Sequence, residues 1–174
     1  MPIYHPDEYN AVLERIKREI ELQNIQMGPA LSEEEICAFE EAHSIRLPEG
    51  YRRFLREVGD GCDMFDGYEL LPLAAERQFQ NLSVPFPFTE YVVEGEEPLS
   101  SEFWEQVGCG ALEIIDLGCG QTFRLIVTGP CRGEVWNLCE MGTQPCCQRQ
   151  DFLGWFERWL VNGDDVDYYA EFPD

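Results

Sequence analysis

The sequence predicts an α+β fold in which N-terminal helices and a C-terminal helix pack on a mainly antiparallel, twisted sheet. Three observations lead there. The first third of the chain repeats apolar residues at helical spacing, as in Tyr9, Val12, Leu13, Ile16 and Ile20. The stretch from Leu112 to Leu138 changes to β-branched and aromatic runs separated by glycine turns. Near the end, Phe152, Trp155, Phe156, Trp159 and Leu160 return to helical spacing and present a broad apolar face suited to covering a sheet.

Taken in order, Pro6, Asp7 and Glu8 open the first helix. Gly28 and Pro29 punctuate the chain after it. Ser32 and Glu35 have capping-box spacing, and Leu31 with Ile36 occupies the two staple positions, so a second helix starts there with Ile36 and Phe39 inward. Leu47 and Pro48 begin a third, with Tyr51, Phe54, Leu55 and Val58 on its inner side and Gly59 as a left-handed cap. Arg52, Arg53 and Arg56 are expected to face water. Tyr68 to Leu73 reads as a short strand, and the proline-rich stretch from Val84 to Val93 as an edge strand or ordered loop. Glu94 to Pro98 is an acidic loop, after which Ser100 or Ser101 caps a short helix through Phe103, Trp104 and Val107. Leu112 to Leu117, Thr122 to Thr128 and Glu134 to Leu138 form an antiparallel meander, with Gly118-Cys119-Gly120 as a hairpin turn. The last helix starts near Asp151 and stops before Gly163.

At 174 residues the chain fits one domain. Residues 1–30 read as a helical extension, 94–107 as an acidic surface insertion and 164–174 as an acidic tail with Tyr168, Tyr169 and Phe172 as its docking residues. A hydrophobic fraction of 44% supports a packed core despite a net charge of -22. That charge is unevenly placed. Residues 1–56 carry 11 acids and 7 bases, and the remainder carries 23 acids and 5 bases. Such a field repels nucleic acid and anionic lipid and steers basic partners inward, although solubility alone is the plainer reading of an acidic surface. No apolar run is long enough to span a membrane, and the start MPIYHPDEYN lacks the basic and apolar regions of a signal peptide. A cytoplasmic location is the expectation, with the eight cysteines mostly reduced.

Catalytic signatures are sparse. The two histidines, His5 and His43, poorly supply a triad or a multi-histidine metal site. Lys17 is the single lysine, and the phosphate-binding, nucleophile-elbow and zinc-protease motifs are missing. The cysteines are widely separated except for adjacent Cys146 and Cys147, which is not zinc-ligand spacing, and only Arg149 stands near to lower a thiol pKa. Core packing is the simpler role for them. Paired carboxylates could serve as acid and base, but runs of this kind are usually solvated faces. No cofactor, no metal and no enzymatic activity are expected.

The stretch LSEEEICAFEEAHSIRLPEGYRRFLREVGDG resembles the opening signature of the SUKH superfamily. Ile36, Phe39 and Glu40 fit its second-helix pattern, while Leu47, Pro48, Tyr51, Phe54 and Leu55 fit its helix-entry motif. Downstream, IIDLGCGQTFRLIVTGPCRGEVW is similar to the family's glycine-marked strand pair, and DFLGWFERWL to its closing helix, so the resemblance spans about residues 31 to 161. Gly59-Asp60-Gly61 departs from the asparagine-glycine pair common there, and Phe88 to Val107 is a long acidic addition. The superfamily includes Smi/Knr-type cell-wall regulators and bacterial toxin-immunity proteins. The resemblance implies the α+β fold and supplies no catalytic motif.

Resemblance and acidity together suggest an immunity-type protein that binds a toxin domain encoded nearby, a basic nuclease by charge. The alternative is a non-enzymatic adaptor or regulatory module of the cell-wall-regulator type. A hydrolase or redox protein built on carboxylates or thiols is a third class. The candidate partner-binding residues are Asp60, Asp63, Asp66, Glu94, Glu96, Glu97, Asp164, Asp165 and Asp167.

Overall fold

Local signals written in the sequence set most of the helix boundaries. The computed structural model describes residues 3–64, 67–77, 81–146 and 149–162. Helix α1 (Tyr9–Gln23) buries Val12, Leu13 and Ile16 and closes on Asn24 in the left-handed region, with φ of 55°. At α2 (Glu33–His43) the capping box is formed: Ser32 Oγ accepts the Glu35 N–H at 3.2 Å, and the Glu35 carboxylate accepts the Ser32 N–H at 2.8 Å. Helix α3 (Glu49–Glu57) follows Pro48 and buries Tyr51, Phe54 and Leu55. Its end departs from expectation. Val58 remains helical and Gly59 takes φ of 158°, close to extended, so it is not a left-handed cap. Glycine is required there because a Cβ would press to 2.5 Å on the Gly28 carbonyl oxygen.

Strands β1 (Cys62–Asp63) and β2 (Glu69–Leu70) form a short antiparallel ribbon. The strand expected over Tyr68 to Leu73 is limited to β2, because the Arg77 guanidinium holds the following chain as a loop. It donates to the carbonyls of Pro72, Leu73 and Ala75 and, across the fold, of Glu113 at 2.7 Å. Of the proline-rich stretch only β3 (Val92–Val93) pairs. Ser100 Oγ accepts the Phe103 N–H and caps α4 (Ser101–Gln106).

The meander is built from β4 (Ala111–Gly118), β5 (Gln121–Ile126), β6 (Val135–Cys139) and β7 (Gly142–Pro145). Its β4–β5 hairpin pairs Gly118 with Gln121 across Cys119 and Gly120, both with positive φ as a type I′ turn demands. The sheet order is β3-β7-β6-β5-β4. Helix α5 (Phe152–Asn162) lies against α1 and α3 on one face of this sheet, with Phe152 and Phe156 at 4.9 and 4.7 Å from the Phe54 ring.

Both faces of the sheet are covered. Phe123, Leu125 and Val135 point into the main core beneath the helices. Ile126, Trp136 and Leu138, one residue out of phase, point into a second apolar cluster with Phe86, Phe103 and Val107. The segment read as a surface insertion thus holds its acids outward while its helix places Phe103 and Val107 in that second cluster.

The largest correction concerns Arg52. Only 3% exposed, it does not face water. Its Nε donates to Glu40 Oε1 at 2.9 Å and its Nη2 to Glu33 Oε1 at 2.5 Å, while the same Glu40 oxygen accepts the Leu47 N–H at 2.8 Å. Burial opposes the charge of Arg52, yet the hydrogen bonds to Glu33 and Glu40 raise its pKa above the ordinary value and keep it charged. Arg53 is half-buried against Glu57, and Arg56 is exposed beside Glu33. The three arginines thus divide by depth.

Truncating Arg52 strands the Glu40 carboxylate without its partner. Arg52→Met is expected to cost about 3–5 kcal/mol in urea unfolding, and a loss below about 1 kcal/mol would show that the pair is not structural. Gly142 is a second constraint, because a Cβ on it would overlap the Val92 carbonyl oxygen. Gly142→Ala should detach β3 from β7, seen as faster amide exchange at Val92 and Glu94 with the rest of the sheet still protected.

Candidate functional site

The acidity of the surface begins with where the bases go. Arg15 pairs with Glu157 at 2.6 Å, Lys17 with Glu14, Arg53 with Glu57 and Arg56 with Glu33. Arg124 pairs with Glu113, and Arg149 with Glu134 at 3.2 Å. Arg77 and Arg132 donate to backbone carbonyls instead. Arg18 and Arg46 are exposed beside Glu19 and Glu49, so these cations are matched by carboxylates or carbonyls wherever they stand, and the remaining excess of carboxylates sets the sign of the field.

The described candidate acids fall into two groups. Asp60 is half-buried, and its Oδ1 accepts the Leu73 N–H at 2.8 Å. Asp63 is exposed on β1, directly opposite Glu69 on β2. Both acids line a recess of about 240 Å³ together with Asp60, Gln26 and Gly28. Two like charges in register repel, so this ribbon has a standing attraction for a cation. Glu94 is half-buried after β3, where its N–H donates to the Met141 carbonyl at 2.8 Å, and Glu96 and Glu97 are exposed in the loop beyond. Asp66, Asp164, Asp165 and Asp167 lie outside the described residues.

The two groups sit at opposite edges of the sheet. Beyond β2, the Leu71 N–H donates to the Ile114 carbonyl of β4, whereas β3 ends the sheet on the other side. Four strand spacings, roughly 19 Å, separate those edges. A partner engaging both groups must therefore span the sheet.

Three exposed apolar residues escaped the sequence reading as surface features. Tyr91 and Trp104 are each 45% exposed and Met141 47%; Tyr91 directly precedes β3, and the Met141 carbonyl accepts the Glu94 N–H just after it. One signal was available: adjacent Phe103 and Trp104 cannot share a helix face, so burying Phe103 turns Trp104 outward. Met141 lies in the β6–β7 turn, whose second strand, Gly-Thr-Gln-Pro, carries little strand signal.

The arrangement suits attraction of cations better than bond-making. His43 packs on Phe39 with ring centroids 4.4 Å apart and the rings tilted, and His5 lies in the exposed N-terminal arm. Among the described residues, no group of three or more His, Cys, Asp or Glu side chains could hold a metal ion. Burial pushes the Cys62 thiol up to about 12 and raises those of Cys37, Cys109 and Cys131, which keeps them protonated and weakly nucleophilic. Cys146 is buried, and Cys147 lies outside the described residues. No helix among the described residues is long and apolar enough to cross a membrane.

Burial also raises the Asp60 carboxyl above its ordinary value of 3.8, although the Leu73 N–H and Arg77 oppose the shift. A carboxyl whose folded pKa exceeds its unfolded one contributes stability below about pH 4 and loses it as pH rises through the folded value. Asp60→Asn keeps the Oδ1 acceptor and removes this titration. Thermal melts should show the variant at least as stable as the parent near neutrality, with its advantage shrinking toward pH 4; a variant less stable at neutral pH would contradict this.

Comparison with known families places the chain. The model of the SMI1 / KNR4 family (SUKH-1) matches residues 30–165, a span that includes α2, α3, the whole sheet and α5. A search of curated proteins finds no match. A match over most of its length shows that this chain belongs to the SMI1 / KNR4 family (SUKH-1).

Proposed function

We propose that this chain is an immunity-type protein that binds a cognate toxin domain, a basic nuclease encoded nearby, and blocks its active site. The observation that carries the reading is the partition of charge: Arg52, Arg77 and Arg124 are drawn into the fold by carboxylates and carbonyls, the exposed Arg18, Arg46 and Arg56 each stand beside a glutamate, and Asp63, Glu96 and Glu97 stand exposed. A nuclease binds phosphates through a cationic groove. Carboxylates carried on the β1–β2 ribbon and on the loop after β3 present the same sign of charge without a scissile bond, which accelerates encounter, and the exposed Tyr91 before β3 adds contact area after docking.

Membership in this family implies a protein-interaction role in general, and the toxin is the step beyond it. The protein would act in the cytoplasm, where a nuclease finds its substrate and reduced thiols persist.

Co-expression with the toxin-like product of a neighbouring gene tests the reading. Growth should be rescued, and the two proteins should co-purify in a complex that weakens as salt rises. Replacing Glu94, Glu96 and Glu97 together by glutamine should lower the association rate about tenfold while leaving the melting temperature unchanged. Neither rescue nor co-purification would remove the immunity role. Co-purification with a non-toxic neighbour would favour the adaptor role instead.

A further inference from the structure

The edge of the sheet at β3 is open in a particular way. No strand among the described residues pairs with its outer side. Val93 lies opposite Gly142, and the next residue, Glu94, donates its N–H to Met141. In an antiparallel ladder, bonded and non-bonded pairs alternate, so Val93 directs its own N–H and carbonyl away from β7. One donor and one acceptor thus face outward, as a template for an added strand.

The surroundings of that template specify its occupant. Tyr91, which directly precedes β3, and Met141, whose carbonyl accepts the Glu94 N–H, border it with large exposed apolar surface. Glu94, Glu96, Glu97 and Glu140 supply charge around it. The nearby base, Arg149, is engaged by Glu134 and Glu90 and ties this margin down through the Thr89 carbonyl. A second copy of the chain, at net charge -22, would bring the same acids face to face. A basic segment meets no such repulsion.

We propose that the β3 edge captures an extended basic segment of the partner protein as an additional strand, its main chain bonding Val93, its basic side chains meeting Glu94, Glu96 and Glu97, and its apolar side chains covering Tyr91 and Met141. The inference rests on the reading that the chain binds a basic protein, and it names the surface and mode of binding.

The test uses the full chain and a fluorescein-labelled peptide alternating lysine with valine. Controls are a glutamate-valine peptide and the lysine peptide N-methylated on alternate residues in either register. The lysine peptide should bind, the glutamate peptide should not, and N-methylation in one register should weaken binding about tenfold or more. Val93→Pro removes the outward donor at a position whose N–H makes no bond to β7, so it should weaken binding similarly, as should Met141→Ala. Should Val93→Pro fail to fold, amide exchange on the parent decides, with protection expected at residues 91–94 when peptide is added.

Absence of binding, indifference to N-methylation, peptide protection elsewhere, or a dimer held through Val93 would each overturn the proposal. The cognate toxin separates this failure from failure of the immunity role. A toxin captured equally by the parent and Val93→Pro overturns the edge and leaves immunity standing. Capture of the peptide with no toxin capture does the reverse.

Discussion

Most of the architecture follows from one constraint: the central strands β5 and β6 are apolar on both sides and must be covered twice. Phe123, Leu125 and Val135 require the helical layer, while Ile126, Trp136 and Leu138 require a second cover that helices α1, α3 and α5 cannot reach. The segment from Phe86 to Val107 supplies it through Phe86, Phe103 and Val107. Burying such aromatic side chains is worth roughly 1.5–3 kcal/mol each, enough to hold an irregular segment against its conformational entropy only when several act together. The acidic loop is carried by that cover, which fixes where its charges stand.

Charge is organised by the same division between inside and outside. Arg52, Glu40 and the Leu47 N–H form a connected polar group at the junction of α2 and α3. Buried ion pairs seldom add net stability over apolar residues, but they tolerate few alternative arrangements, since each partner left alone is costly. The pair therefore fixes how α2 meets α3. By drawing cations into the fold, it and its counterpart at Arg124 shift the balance of the exposed surface further toward carboxylates.

Local signals made the helices and the meander legible. The Ser32–Glu35 box, the apolar stripe of α1 and the Cys119-Gly120 turn act over a few residues, and each is realised where the sequence placed it. Features decided at a distance were not legible. Arg52 lies beside the buried stripe of α3, and its depth depends on Glu40 twelve positions earlier. Strand β7 carries no β-branched run beyond Thr143 and exists because β6 offers it a ladder. The candidate acids could be counted along the chain, but their division between two sheet edges is a property of strand order, which periodicity does not encode.

Arg77 shows what such distant contacts do to cooperativity. Its guanidinium joins three carbonyls of a loop without strand pairing to the Glu113 carbonyl of β4. Burial lowers its pKa, so the desolvated cation depends on those acceptors. The three local bonds hold the loop together as a unit, and the bond to Glu113 ties that unit to β4. Through that tie a stretch lacking regular structure opens at a cost that includes uncovering a desolvated cation, which couples it to the edge of the sheet.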